Sequence, residues 1–293
     1  MQDFPWSDWR ARVGYHRGAE RAGADRLGPG CSGGVVSGFS AVDRSADPGA
    51  LLAHLDSSAR GLAAMKRYMA AAASRAVPGG LVLDIGSGAG HDLELLAAEE
   101  LVPIGVEPSA VMIAEAARRL SAAGLGGLLV RADGHALPYA SASLDGARIE
   151  RVLQHCADPT VVLQEVRRVL RAGGFLAVFE PNWTSLRFGG EDADHVRVLN
   201  AVMHVRHPSI GAELPRLVRG ASFRVLDRVS ELSFGYSLAS LPLRLASMLE
   251  RAVNRDRIDS DTAERWWVRQ DELDRQDAFE ASWEKVLVVA EAA

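Results

Sequence analysis

The run Leu81-Val82-Leu83-Asp84-Ile85-Gly86-Ser87-Gly88-Ala89-Gly90 constrains this chain more than any other stretch. Five strand-forming residues lead straight into three glycines at alternate positions, and helix-forming sequence follows. Such a turn brings the backbone close to a ligand, and a Cβ there would block the approach. Dinucleotide sites use the spacing G-x-G-x-x-G, which places pyrophosphate on a helix N-terminus. The third glycine would then stand at position 91, which is His91. The spacing is instead G-x-G-x-G, and Asp84 ends the strand just ahead of it. A carboxylate at that point repels a pyrophosphate and suits a ligand carrying a cationic ammonium group.

The turn opens a regular alternation. Strands are expected at Leu81–Ile85, Pro103–Val106, Leu128–Ala132, Leu144–Ile149 and Phe175–Phe179. Helices are expected at Asp92–Glu100, Ser109–Leu120 and Pro159–Leu170, with Ser109 as N-cap and Gly173-Gly174 ending the third. Short β-α-β-α connections imply a mostly parallel sheet with helices on both faces. Beyond Pro181 the rhythm changes: His195–Val205 and Glu213–Arg219 read as helices and Phe223–Phe234 as a long strand. Residues 238–280 read as a helical insertion holding Trp266 and Trp267, and Trp283–Ala290 as a last strand. Ahead of the first strand, residues 47–77 read as a helical cap. Residues 28–38 hold five glycines in eleven positions, so 1–38 is expected to be an extension serving as a linker or mobile lid, separate from a domain over 39–293.

Four motifs in this register resemble the class I S-adenosylmethionine-dependent methyltransferases, in the methyltransferase type 11-like small-molecule branch. LVLDIGSGAG resembles the family's first motif, and the ligand's ammonium and sulfonium charges suit Asp84. Ile104-Gly105-Val106-Glu107-Pro108-Ser109 resembles its second strand, ending in an acid. Glu107 stands 21 residues after Gly86, where a carboxylate can take both ribose hydroxyls. Arg131-Ala132-Asp133-Gly134-His135-Ala136-Leu137-Pro138 resembles its adenine-binding turn. Ser143 through His155 resembles its fourth strand and following loop. The resemblance implies a Rossmann-like seven-stranded sheet with the last strand antiparallel. It also implies S-adenosyl-L-methionine bound by Asp84, Gly86, Ser87, Gly88, Gly90, Glu107, Pro108, Asp133, Gly134, His135 and Arg151. Within that family, caps before the first strand close over the methionine end of the cofactor, which places Arg67 or Tyr68 near it.

Methyl transfer from a sulfonium is an in-line displacement that chiefly needs alignment and exclusion of water, so no catalytic triad is expected. His155 is the candidate for a catalytic or acceptor contact, against a structural reading as a helix cap. Trp183 is the candidate wall for a flat acceptor, and Glu180 and Asn182 share its strand end. His204 and His207 could face the pocket, with surface positions as the default. Trp266 and Trp267 are expected to anchor the insertion.

Composition sets the remaining bounds. Thirty-three basic and 38 acidic residues leave a net charge of −5, which argues against a polynucleotide partner relying on bulk positive charge. Arginine supplies all basic residues except Lys66 and Lys285. Cys31 and Cys156 form no CxxC pair, and no metal site is expected. The longest uncharged run, Leu27 to Val42, is 16 residues rich in Gly and Ser, so no membrane span is expected, and an acidic N-terminus without an apolar run suggests no secretory signal. The expectation is a cytoplasmic enzyme acting on a small-molecule acceptor, preferably a secondary metabolite, with homodimerisation open. An NAD(P)-dependent oxidoreductase and a non-catalytic cofactor-binding protein are the alternatives.

Overall fold

The computed structural model describes residues 42–44, 49, 52, 55–56, 62–125, 128–189, 194–203, 205–238 and 245–293. The extension 1–38 with Cys31, most of 47–61, His204 and 239–244 lie outside them. The helices are α1 (Ala63–Ala76), α2 (His91–Ala98), α3 (Ala110–Ala122), α4 (Pro159–Val169), α5 (His195–Val202), α6 (Ile210–Gly220), α7 (Leu245–Val253) and α8 (Ser260–Arg275). The strands are β1 (Leu81–Ile85), β2 (Val102–Val106), β3 (Leu128–Val130), β4 (Leu144–Glu150), β5 (Leu170–Phe188), β6 (Phe223–Gly235) and β7 (Ala281–Ala292). Among the described residues no helix is long and apolar enough to cross a membrane.

The strands form one sheet in the order β3-β2-β1-β4-β5-β7-β6. β1 to β5 pair in parallel, and β7 runs antiparallel between β5 and β6. The period-2 alternation of the strands divides the core. Leu81, Leu83, Ile85, Leu176 and Val178 face α4 and α6 in one cluster. Val82, Phe175, Ala177 and Phe179 face α1 and Leu96 of α2 in another. Two helix starts follow directly from sequence: Ser109 Oγ accepts the Met112 N–H at the head of α3, and Asp158 caps α4 with Pro159 in its first turn.

β5 differs from expectation. It continues well past Phe179 to Phe188, paired with β7 as far as Phe188↔Ala281. Pro181 does not stop it, for a reason of geometry. The Phe179 carbonyl faces β4, where it accepts the Arg151 N–H. Pro181, two residues on, points its missing donor the same way, and β4 pairing has already ended at Glu150↔Phe179. The β5–β7–β6 ribbon therefore projects beyond the carboxyl edge of the parallel strands. There it carries a third apolar cluster: Leu186 and Phe188 from β5, Val198 and Val202 from α5, Leu249 from α7, and Trp266 from α8. Trp266 is fully buried and packs edge-on against Phe188, which is how the insertion is anchored. Helix α4 ends at Val169, and Gly173 makes its positive-φ turn inside the start of β5.

Beneath the glycine turn lies a buried ionic cluster. Arg148 of β4, only 3% exposed, contacts Asp92 at 2.9 Å, Glu150 at 2.6 Å and Asp84 at 3.6 Å. Lys66 of α1 reaches Asp92 and Glu150, each at 2.6 Å, and Arg151 adds a third cation at Glu150. Lys66 and Arg148 thus face three carboxylates. Arg148 and Lys66 overcome the burial that would raise the Asp92 pKa and hold it well below the usual range. Removing Arg148 would strand those acids in a dry setting. Arg148→Ala is expected to cost about 3–5 kcal/mol in urea unfolding at pH 7.5. The deficit should shrink at pH 5.5, where stranded carboxylates can take up protons; a variant as stable as the parent at both pH values would show the cluster to be dispensable.

Candidate active site

The strand tips of β1, β2 and β4 meet at the glycine turn. Gly86, Gly88 and Gly90 all have positive φ. A Cβ on Gly86 would come within 2.4 Å of Val152, and one on Gly90 within 3.0 Å of Ala116. Those two glycines let the turn pack against the loop after β4 and against α3. A Cβ on Gly88 would clash with none of the described residues, meeting Leu55 in ordinary contact at 3.6 Å. The glycines were expected to clear space for a ligand; two of the three chiefly clear space for the protein itself.

Asp84 projects to the same face as Val82, towards α1 and α2. It is 3% exposed, and its Oδ2 has no hydrogen-bond partner among the described residues; neither has the buried Ser87 Oγ. Burial pushes the Asp84 carboxyl up to about 7 against the pull of Arg148. Glu107 follows β2 directly. Its Oε2 accepts the Gly88 N–H at 3.1 Å and its Oε1 the Ser109 N–H at 3.0 Å. Each oxygen keeps a further lone pair. Burial pushes Glu107 up to about 7 as well. The Pro108 carbonyl accepts from Arg131 Nε at 3.0 Å.

The turn after β3 is self-contained. Asp133 Oδ1 accepts both the His135 N–H and its Nδ1, at 2.9 and 2.5 Å. His135 Nε2 accepts the Asp158 N–H at 3.1 Å, so the proton sits on Nδ1 and both ring nitrogens are used inside the protein. Its hydrogen bond to Asp133 raises the His135 pKa. What this turn offers a ligand is the second Asp133 oxygen and backbone, with Gly134 lying over Ile85.

The loop after β4 starts at Arg151, which has φ of 55° and an Nε 3.2 Å from Glu150. Glu180, fully buried, was grouped with the substrate contacts of β5. It instead turns inward: its Oε1 accepts the Leu153 N–H at 2.6 Å, with Val152 and Gln154 also donating. Burial raises its pKa to about 8. Trp183 donates its indole N–H to Gln154 Oε1 at 2.7 Å, and the Gln154 carbonyl accepts from Arg206 and His207. His207 Nε2 lies 3.1 Å from the Cys156 carbonyl. Asn182 is held by Glu284 and Thr184. His155 is half-buried, and its desolvation with Arg151 nearby lowers its pKa to about 4, so the ring is neutral at pH 7. Sequence reading missed the ionic roles of Lys66, Arg148 and Glu150 at this edge and the tie from Gln154 to Trp183.

The cap supplies one wall. A cavity of about 520 Å³ is lined by Asp56, Lys66, Arg67, His91, Asp92 and Arg119. Arg67 therefore borders space beside the turn. Tyr68 does not; it is 41% exposed and its hydroxyl is 3.5 Å from Asp227 on β6.

Comparison with known proteins agrees with this geometry. Residues 83–178 match the methyltransferase-domain family. An uncharacterized 37.1 kDa protein in transposon TN4556 of Streptomyces fradiae is 37% identical over 199 residues, covering 64% of this chain and 57% of the relative. An uncharacterized methyltransferase of Mycobacterium sp. (strain JLS) is 35% identical over 131 residues, covering 44% of this chain and 50% of the relative. The chain thus spans little more than half the length of these curated relatives. Among solved structures, the YcgJ protein from Bacillus subtilis superposes with a TM-score of 0.56 at 16% identity, over 78% of this chain and 97% of that one. The [4+2]-cyclase SpnF superposes with a TM-score of 0.50 at 22% identity, over 77% and 78%. The cofactor this fold implies is S-adenosylmethionine, and the residues fit it: Asp84 Oδ2 and Ser87 Oγ, unpartnered among the described residues, flank the start of the glycine turn in the chain, and an acid with spare lone pairs stands at the next strand tip. With the strand order, these matches show that the chain carries the class I S-adenosylmethionine-dependent methyltransferase fold, of which residues 83–178 match the methyltransferase-domain family.

Proposed function

We propose that this protein transfers a methyl group from S-adenosylmethionine to a small molecule, with a secondary metabolite as the preferred acceptor class. One observation carries the reading: a buried Asp84 at the end of the strand that leads into the glycine turn, with one oxygen unpartnered among the described residues and its nearest guanidinium, Arg148, at 3.6 Å. A cationic ammonium suits such an oxygen, and a pyrophosphate opposes it. S-adenosylmethionine, when bound, supplies an electrophilic methyl on its sulfonium. Asp84 and Ser87 would hold the amino-acid end, Glu107 the ribose hydroxyls, and Asp133 with the Gly134 backbone the adenine. Arg151 and the loop fastened by Glu180 would border the methionine portion. In this reading His155 and Trp183 contact the acceptor. With a pKa of about 4, His155 offers a neutral hydrogen bond and is a weak base, so the protein acts by alignment and by excluding water. The roof of α5, α7 and α8 over the carboxyl edge supports a small acceptor, as does the acidic net charge. Cytoplasmic location belongs to the same proposal. SpnF is a cyclase on a similar fold, so turnover itself needs testing: label from the methyl-labelled cofactor should reach an acceptor drawn from a metabolite extract, and cofactor binding without any transfer would reduce this chain to a binding protein.

Two expectations concern binding. Asp84→Asn and Glu107→Gln should each weaken S-adenosylhomocysteine by about 1–3 kcal/mol in calorimetric titration. Asp84→Asn should do so without lowering the melting temperature, because a buried carboxylate with a raised pKa costs the fold energy when charged. Tight NAD(P) binding with no S-adenosylhomocysteine binding would reject the assignment.

The second expectation concerns pH. Both acids titrate near 7 in the free protein, and the ligand needs them ionised. Affinity should therefore fall as pH drops below 7, by up to about tenfold per unit for each group that must lose its proton. It should level off above pH 8. Titrations in buffers of different ionisation heat should reveal proton release near pH 6.5; a flat affinity from pH 5.5 to 8 would contradict the role given to these carboxylates.

A further inference from the structure

Asp43 lies outside the matched methyltransferase domain, on a short helical turn over Val42–Arg44. Val42 beside it is buried against Ala89 of the glycine turn and Met112 of α3. The Asp43 carboxylate then gathers donors from two strand tips. From the β2 tip it accepts Ser109 Oγ at 2.5 Å, the Ala110 N–H at 3.0 Å and the Val111 N–H at 3.2 Å. From the β3 tip it accepts Arg131 Nη2 at 3.2 Å, while Arg131 Nε is held by the Pro108 carbonyl. Ser109 is the shared link, because its own N–H donates to Glu107 Oε1 at 3.0 Å.

We propose that Asp43 is a positioning residue for the adenosyl end of the cleft: it clamps the β2 tip to the β3 tip and so fixes Glu107 relative to the Asp133 turn. The inference rests on the S-adenosyl reading above. The physical grounds are two. The free N–H groups at the head of α3 are a strong seat for a carboxylate, and Asp43 fills it from more than sixty residues away. Arg131 begins the turn that carries Asp133, so its bonds to Pro108 and Asp43 tie the two ligand-facing stretches to each other. Neither stretch touches the other through a strand bond beyond Glu107 N–H to the Val130 carbonyl, the last backbone link between them.

The test uses the full chain and two probes, S-adenosylhomocysteine and methylthioadenosine, which share only the adenosyl end. Asp43→Ala should weaken both by about the same factor, on the order of tenfold, as expected for losing a charge-assisted anchor. Asp43→Asn, which keeps the shape and one carbonyl acceptor, should lose about threefold and recover part of the affinity. Arg131→Ala should match Asp43→Ala, and the double variant should add less than twofold, because both remove one clamp. Arg118→Ala, which breaks an exposed pair on the same helix, should bind as the parent does. Amide exchange at Ala110 and Val111 should quicken in ligand-free Asp43→Ala. Parent-like affinity of Asp43→Ala for both probes overturns the proposal, as does unchanged exchange at these amides or a loss confined to S-adenosylhomocysteine. If Asp43→Ala does not fold, Asp43→Asn and Arg131→Ala decide by the same criteria. A parent protein that binds neither probe would instead refute the S-adenosyl reading.

Discussion

The guanidinium of Arg148 is the fixed point around which the carboxyl edge is organised. It lies under the glycine turn at the end of β4 and faces carboxylates from β1, α2 and its own strand. Charges so far from water persist only in pairs. Arg148 satisfies Asp92 and Glu150 closely and Asp84 at longer range. That graded pairing leaves Asp84 ionisable and partly unpaired, the state in which a buried acid can serve a cationic ligand. Lys66 brings the cap helix into the same cluster. In a chain that otherwise uses arginine almost throughout, the slim ammonium at position 66 fits between two carboxylates where a planar fork would need more room.

The other half of the edge is held by backbone. Glu180 collects amide donors from the turn after β4, and Gln154 in that turn ties Trp183 to the segment 206–207. The loop after β4 is thus anchored from β5 on one side and from the segment 206–207 on the other. Arg151 keeps a positive φ within this web, a local cost that the surrounding bonds sustain. The β5–β7 ribbon extends the same scaffold outward and carries the apolar cluster of α5, α7 and α8, so that cluster and the glycine-turn edge share one continuous pair of strands.

Most elements of the sheet were legible because their signals are local. Glycine spacing, Ser109 and Pro159 as helix-start residues, and the β-α alternation each act within a few residues. Phe179 as the end of β5 was wrong because a proline stops a strand only where its missing donor has a neighbour to face, and that depends on where β4 ends. Asp84 and Glu107 were legible as acids at strand tips, but not as acids whose pKa burial raises. Glu180 was legible only as an acid at the strand end beside Trp183, since nothing local distinguishes a strand-end acid bound to backbone amides from one facing a substrate. Trp183 and His207 were likewise visible as types, while their bonds to Gln154 and Cys156 join segments about thirty and fifty residues apart.

The amino-acid sequence by itself determined the strand rhythm, the glycine turn and the identity of the acids that border it, because these arise from backbone sterics and short-range periodicity. Tertiary structure alone decided that Arg148 and Lys66 meet in one cluster with Asp84, Asp92 and Glu150, that Asp43 joins two strand tips, and that Glu180 faces inward. Electrostatic balance in a dry interior depends on which distant charges the fold brings within a few ångströms, and no local pattern encodes that sum.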